Sequence, residues 1–504
     1  MAQHVGSLEK SSSDLHVEIF DHEKHKDIET VAEQTPPDFD QDEVKRILRK
    51  IDLRLLPVLT ALYLMSFLDR SNIGNANVAG LSQDLGLSSK QYNLCLTIFF
   101  FPYSLFEVPS NIVLKWLRPT VWLPIIVLCW GTVMTLMGIV QGYGGLLAAR
   151  FFLGVAEAGL FPAASYILTT WYCRHEMQTR LAIFYCAATM AGAFSGPLAF
   201  GIEKMDGIAG LEGWRWIFIL EGLLTVLLAL ILPFVLHDHP SQARFLTPTE
   251  RTSHLHRLAI DYSNGAKDQT TFKWKYLLQA LTDWKIHLSV LVFWGNTITG
   301  YGFIFSLPTA IKDLGYSQAN AQLLTIPVYG VALVFVLITA FFADRTKRRA
   351  PFIVYPYMVC AVGFVAMMAL PKDKWPGARY GMLFVIASGL YPPLCGVIAW
   401  NANNLAGSWK RAIGVALQIT IGNLGGAVGS NIYLKLEAPH YWTGYAVSLA
   451  VLVLAIAAGF ALRFGLERVN KKREAMTEEE IRAMYTPEQL QDMGDRSPLY
   501  RYTL

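Results

Sequence analysis

Residues 149–172 read ARFFLGVAEAGLFPAASYILTTWY, an apolar run long enough to cross a bilayer that nevertheless carries Arg150 and Glu157. At 3.6 residues per turn these two lie almost two revolutions apart and share one helix face. That face cannot look at lipid, because an unpaired charge at the bilayer centre costs at least ~3 kcal/mol. Such residues turn toward partners or a wet cavity and mark a path for ions or substrate. A second pair, Asp69 and Arg70, stands in the first apolar stretch, LPVLTALYLMSFLDRSNIGNA (56–76). Two acids and two arginines facing one cavity would anchor an anion and carry a proton.

The rest of the chain is built around such runs. Of its 504 residues 53% are apolar and 16% charged, against roughly 25% charged in a soluble domain. Apolar segments of the length that spans ~30 Å of hydrocarbon fall near 52–72, 91–114, 119–140, 146–172, 180–202, 215–236, 285–308, 321–343, 351–370, 380–400, 412–434 and 443–465. The expectation is an all-α polytopic membrane protein with twelve transmembrane helices.

Lysine and arginine crowd alternate span ends, at Lys45 to Arg54, Lys115 and Arg118, Arg174 and Arg180, Arg345 to Arg349, Lys410 and Arg411, and Arg468 to Arg473. By the positive-inside rule both termini are cytosolic. The net charge of +4 reflects that topology and gives no reason to expect nucleic acid as a partner. Residues 1–44 are polar and acidic, without a basic-then-apolar leader, and are expected to be a disordered cytosolic tail. The six cysteines lie in or beside apolar spans, with no CxxC spacing, so neither a disulfide framework nor a metal site is expected.

One long hydrophilic interior segment, 237–284, divides the chain into bundles at 45–236 and 285–467, with a cytosolic tail over 468–504. Two six-span halves suggest a pseudo-symmetric transporter that binds substrate between them and rocks one against the other. Within the linker TPTE (247–250), and within the tail TEEE (477–480), have the form of capping boxes that begin short helices.

Asp344-Arg345-Thr-Lys-Arg348-Arg349 and Gly213-Trp214-Arg215-Trp216-Ile217-Phe218 resemble motifs of the major facilitator superfamily over residues 45–470. More narrowly, Leu68-Asp69-Arg70-Ser71-Asn72-Ile73-Gly74, Phe106-Glu107-Val108-Pro109-Ser110-Asn111 and Arg150-Phe-Phe-Leu-Gly154-Val-Ala-Glu157-Ala-Gly159 resemble the anion:cation symporter family, in its fungal allantoate and nicotinate permease branch. The resemblance implies the major facilitator fold, a monomer in the lipid bilayer of the plasma membrane, and no cofactor beyond a coupling proton. It implies that Arg70 and Arg150 receive the substrate anion while Asp69 and Glu157 take up and release protons. Where the family's animal vesicular branch has a second-span histidine this chain has Leu96, so a role tied to that histidine does not transfer. Asp344, Arg345, Arg348 and Arg349 are expected to form a cytosolic gate.

The chemistry supports that assignment. Guanidinium is always charged and binds carboxylate bidentately. A buried acid is sensitive to the arrival or departure of an arginine partner. In the empty site Arg150 is expected to pair with Glu157, or Arg70 with Asp69. Glu107 is expected to brace a helix end. Polar candidates for specificity are Asn296, Tyr301, Tyr391, Trp400, Asn401, Asn404, Gln418 and Asn423, with Tyr391 and Asn423 preferred because Gly or Pro loosens their helices. The expected function is proton-coupled uptake of a small organic anion such as nicotinate, pantothenate or allantoate. The alternative is a proton-antiport efflux pump, suggested by Gly192-x-x-x-Gly196-Pro197. A sensor that binds without transport is disfavoured by the short tails. No enzyme motif competes.

Overall fold

The computed structural model describes residues 41–504, apart from 266–273, 347, 372–373 and 439. The tail expected over 1–44 therefore lies outside the described residues save for 41–44, which open a helix. Among the described residues, twelve helices are long and apolar enough to cross a membrane. In the first half they are Gln41–Val78, Ser89–Leu114, Pro119–Met137, Tyr143–Trp171, Ile183–Glu203 and Gly213–Val235. In the second they are Trp284–Asp313, Asn320–Ala343, Pro351–Ala369, Pro376–Asn403, Trp409–Gly429 and Trp442–Glu474. They are called the first to twelfth spans below. With twelve crossings, residues 41 and 504 fall on the same side, the terminal side.

The first span starts eleven residues before the apolar run at 52, because Ile47 and Ile51 on its extension are fully buried. Burial of an apolar stripe, more than propensity, sets how far a helix runs. Two packed clusters of apolar side chains hold the molecule. One gathers residues between Ile47 and Leu246 together with Tyr301, and the other residues between Val292 and Tyr502.

Glycines let the spans touch. A Cβ on Gly222 of the sixth span would collide with the backbone and hydroxyl of Thr135 in the third, and one on Gly131 would meet Val226. Small residues permit this close approach where lipid provides no hydrophobic drive to associate. Gly222→Leu is accordingly expected to prevent stable assembly, with the measurable outcome being loss of monodisperse protein in detergent extracts. An extract indistinguishable from wild type would show that the two spans can separate freely.

The linker is folded. Its helix Pro248–Gly265 starts with the expected capping box, Thr247 and Glu250 each bonding the other's backbone N–H. The same Glu250 accepts from Lys50 Nζ at 2.7 Å, tying this helix to the first span. His254 is buried against the Trp171 carbonyl at 3.0 Å, and burial pushes its ring down to about 4. Thr477 and Glu480 make the second capping box, at the helix Glu478–Met484.

After that helix the tail runs back beneath the second half. Asp495 is fully buried and receives hydrogen bonds from Lys285, at the start of the seventh span, and from Lys410, at the start of the eleventh. Lys410 also pairs with Asp283 at 2.7 Å. Burial alone would push the Asp495 carboxyl up, but the two ammonium groups outweigh it and hold it below the usual carboxylate range. Farther on, the Thr503 carbonyl accepts from Trp400 Nε1 and Asn404 Nδ2, Tyr502 bonds Asn470, and the Leu504 oxygen accepts from Arg349 N at 2.7 Å. The tail thus straps together the terminal-side ends of the seventh, tenth, eleventh and twelfth spans and the loop after the eighth.

Candidate functional site

A cavity of about 70 Å³ lies between the halves, several times the ~10–15 Å³ that one water needs. Aromatic rings form much of its wall: Tyr63, Tyr103 and Tyr185 from the first half, and Phe293, Tyr301 and Tyr391 from the second. Among the described residues lining it the charged one is Arg70.

Arg70 is held from three directions. Its Nε donates to Glu157 Oε1 at 2.9 Å, and its Nη1 donates to the Tyr301 hydroxyl at 3.0 Å. Its guanidinium carbon lies 4.5 Å from the Tyr103 ring centre and 5.0 Å from that of Phe67. Facing π systems add to cation binding where water is excluded. Ser66, one turn before Arg70, also donates to Glu157 Oε1. Glu157 is fully buried, and its second oxygen has no hydrogen-bond partner among the described residues.

The ion pair differs from the expected ones. Arg150 is buried on the same span as Glu157, yet the polar groups that act on it most strongly are Tyr92 and Cys95 of the second span. Its Nε and Nη2 find no hydrogen-bond partner among the described residues. Gly154 explains the arrangement: a Cβ there would strike the Phe99 carbonyl and Pro102. The fourth span therefore leans on the second, carrying Arg150 to that contact. Asp69 does not pair with Arg70 either. Neighbouring helical residues point about 100° apart, and Asp69 instead accepts from Trp130 Nε1 of the third span at 2.8 Å.

Tyr391 and Asn423 line the cavity, as do Asn296 and Tyr301. Asn401 and Gln418 lie away from it and bond helices together, with Asn401 donating to Gln418 at 2.8 Å, while Trp400 and Asn404 hold the tail at Thr503. Glu107 accepts from Thr420 across the halves at 3.4 Å, so its partner is the eleventh span rather than a helix end. Of the expected gate, Arg345 and Arg348 are exposed and Arg349 is buried beneath the strap. The Asp344 side chain lies outside the described residues.

Contacts between the halves gather away from the terminal side. There Asn431 of the second half donates to Thr97 at 2.6 Å, Gly74 faces the Phe305 backbone, and Gly196 packs against Gln322 and Thr325. Gly192, nearer the middle, faces the Tyr329 ring. Gly192 and Gly196 of the fifth span are thus explained by close packing between the bundles.

Two groups of polar residues were not anticipated from the sequence. Ser66 and Trp130 carry no signal apart from their neighbours. Glu221 does carry one: it is an acid inside the apolar run ILEGLL, and it is 2% exposed, accepting from Asn72 Nδ2 at 2.6 Å.

The family model for the Major Facilitator Superfamily matches residues 59–430. The chain belongs to the major facilitator superfamily. It is a family of transporters, and the protein is an integral membrane member of it, not an enzyme. The chain is 38% identical over 471 residues to the MFS-type transporter cnsO of Penicillium expansum, covering 91% of this chain and 90% of that protein. It is 30% identical over 463 residues to the high-affinity nicotinic acid transporter of Saccharomyces cerevisiae, covering 90% and 85%. In structure it resembles a bacterial homologue of the human lysosomal transporter Spinster, with a TM-score of 0.63 at 16% identity over 81% of this chain and 96% of that one. That last likeness speaks for the superfamily fold alone.

Proposed function

We propose that this transporter imports a small organic anion together with protons, by alternating access, with the terminal side in the cytosol of a fungal cell and the protein in its plasma membrane. The observation that carries the reading is the Arg70–Glu157 pair at the wall of the aromatic cavity. A guanidinium that already holds a carboxylate can exchange it for another. Protonation of Glu157 removes its negative charge and frees Arg70 for the carboxylate of the substrate. Loss of that proton on the inner side restores the internal pair and displaces the cargo. Proton and anion are thereby linked, and the linkage is reciprocal.

Arg150, with donors unoccupied, serves as a second anion contact reached when the fourth span moves, and Asp69 as a second proton carrier. Tyr391 and Asn423 set specificity, and Asp344, Arg345, Arg348 and Arg349 gate the inner side. Contacts gathered away from the terminal side correspond to a state closed to the exterior. Aromatic walls with one guanidinium favour a planar monocarboxylate such as nicotinate over the ureide allantoate, which needs more hydrogen-bonding groups. The nicotinic acid transporter among its relatives supports the same choice.

Uptake of labelled nicotinate, pantothenate and allantoate across a range of external pH tests the reading. Accumulation is expected to rise as the exterior becomes acid. Glu157→Gln, a permanent mimic of the neutral acid, is expected to lower concentrative uptake by about 5- to 150-fold, the span of ordinary coupling energies, and to flatten its pH profile. Undiminished uptake by this variant at every pH removes the scheme, and net outward flux of the anion against protons would install the exchange pump in its place.

A further inference from the structure

The first span arranges polar residues around its circumference as a fan. At about 100° per residue, Ser66 lies about 40° from Arg70, Asp69 about 60° beyond Ser66, and Asn72 about 60° beyond Asp69. The four residues meet three other spans of the first half. Arg70 and Ser66 meet Glu157 of the fourth span, Asp69 meets Trp130 of the third, and Asn72 meets Glu221 of the sixth. Buried acids therefore follow one another from the cavity to the back of the bundle.

Their charges do not balance. Asp69, Glu157 and Glu221 are each at most 2% exposed, and the buried cations in their midst are Arg70 and Arg150. Arg70 belongs to Glu157. Arg150 acts on Glu157 and Asp69. Glu221 has an amide for its hydrogen-bond partner, and among the described residues no arginine or lysine pairs with it. Isolated carboxylates in such surroundings neutralise instead of staying charged. The groups that face it are few. From the first span they are Asp69 and Asn72, and Asp69 in turn has Glu157 as an electrostatic neighbour. The third span, Pro119–Met137, brings no Asp, Glu, Lys, Arg or His. On its own span the nearest charged residue is Arg215, which is occupied by Glu212 and the Val140 carbonyl. Of the fifth span, Ile183–Glu203, the acid Glu203 stands at the end beside Gly213, where the sixth span starts, about two turns along that span from Glu221. Among the described residues one oxygen of Glu221 and one of Asp69 lack hydrogen-bond partners, so each carboxyl has an oxygen free to carry a proton.

We propose that Glu221 is a proton-holding residue of the transport cycle, filled in this state and exchanging its proton with Asp69 as the first span turns. This rests on the proton-coupled reading above and adds a third acid to it. No bond other than O–H is made or broken: the proton leaves one carboxyl oxygen and arrives at another.

The test uses full-length protein in proteoliposomes, with labelled nicotinate as the probe, and compares wild type, Glu221→Gln, Glu221→Asp and Asn72→Leu. Two assays are run: net uptake against external pH, and counterflow exchange, which needs no net proton movement. Glu221→Gln is expected to reduce acid-driven accumulation by about tenfold or more, within the ordinary span of coupling energies, while counterflow stays near the wild-type rate. Glu221→Asp restores acid-driven uptake in part. Asn72→Leu, which keeps the acid and removes its donor, moves the half-maximal pH of uptake by half a unit or more; it decides the matter if Glu221→Gln fails to reach the membrane. A wild-type pH profile in Glu221→Gln, or in Asn72→Leu where that is the variant measured, overturns the role of Glu221 alone. Wild-type uptake of nicotinate without any acid stimulation overturns the symport reading as well, so the two failures are told apart.

Discussion

Arg70→Lys is expected to lower substrate uptake by at least about 30-fold, the lower bound set by the 2–5 kcal/mol lost when one member of a buried, hydrogen-bonded charge pair is altered. The charge is kept, but its geometry is not. Arg70 holds Glu157 through Nε and Tyr301 through Nη1 while its plane lies among aromatic rings. A lysine offers a single compact ammonium, and at a forked and stacked position the exchange is not conservative. Arg70→Ala should go further and destabilise the protein, since it strands a buried carboxylate. Radiolabel uptake and thermal unfolding in detergent separate the two effects. Near-normal uptake by Arg70→Lys at wild-type stability would mean that the anion is held elsewhere, with Arg150 the first residue to examine.

Asp495→Asn should cost about 3 to 5 kcal/mol, the usual penalty for removing one partner from a buried ionic cluster. Lys285 and Lys410 would keep Asp283 alone as counter-charge, each being about 3% exposed. The expected result is an apparent melting temperature lower by several degrees. The wild type carries a matching acid signature. Because the folded Asp495 carboxyl is held below its ordinary value, its contribution is present in full above the unfolded carboxylate pKa of about 4 and is lost as pH falls through the folded value. The variant should lose the part of the acid sensitivity that comes from this group. His254, pushed down to about 4, adds to acid lability in both proteins: the unfolded chain takes up its proton near pH 6.5 and the folded chain resists until about 4. An unchanged melting temperature in Asp495→Asn would show that the strap is held by its backbone bonds alone.

The number of crossings was legible because hydrophobic length is a one-dimensional signal. So were the capping boxes at Thr247 and Thr477, which are local in sequence. The burial of Arg150 and Glu157 followed from their setting in an apolar run. Their partners did not, since a single helix says which residues share a face but not which neighbour leans on it. Gly154 decides that lean, and its effect exists only once the second span is in place. Glu221 satisfied the same criterion that drew notice to Arg150 and was readable in principle. The Asp495 cluster was hidden differently: Lys285 and Lys410 sit at span ends, where a basic residue already has a topological explanation.

The bond from Arg70 to Tyr301 joins the first half to the second. A hydrogen bond to a charged group is worth about 1.5–3 kcal/mol, or roughly a tenfold to hundredfold bias in population. An arriving carboxylate that takes over this donor would therefore also unfasten the tether that joins the bundles at the cavity. Cargo would act as the key to its own turnstile, and the empty carrier, with this tether made, would turn back more slowly than the loaded one.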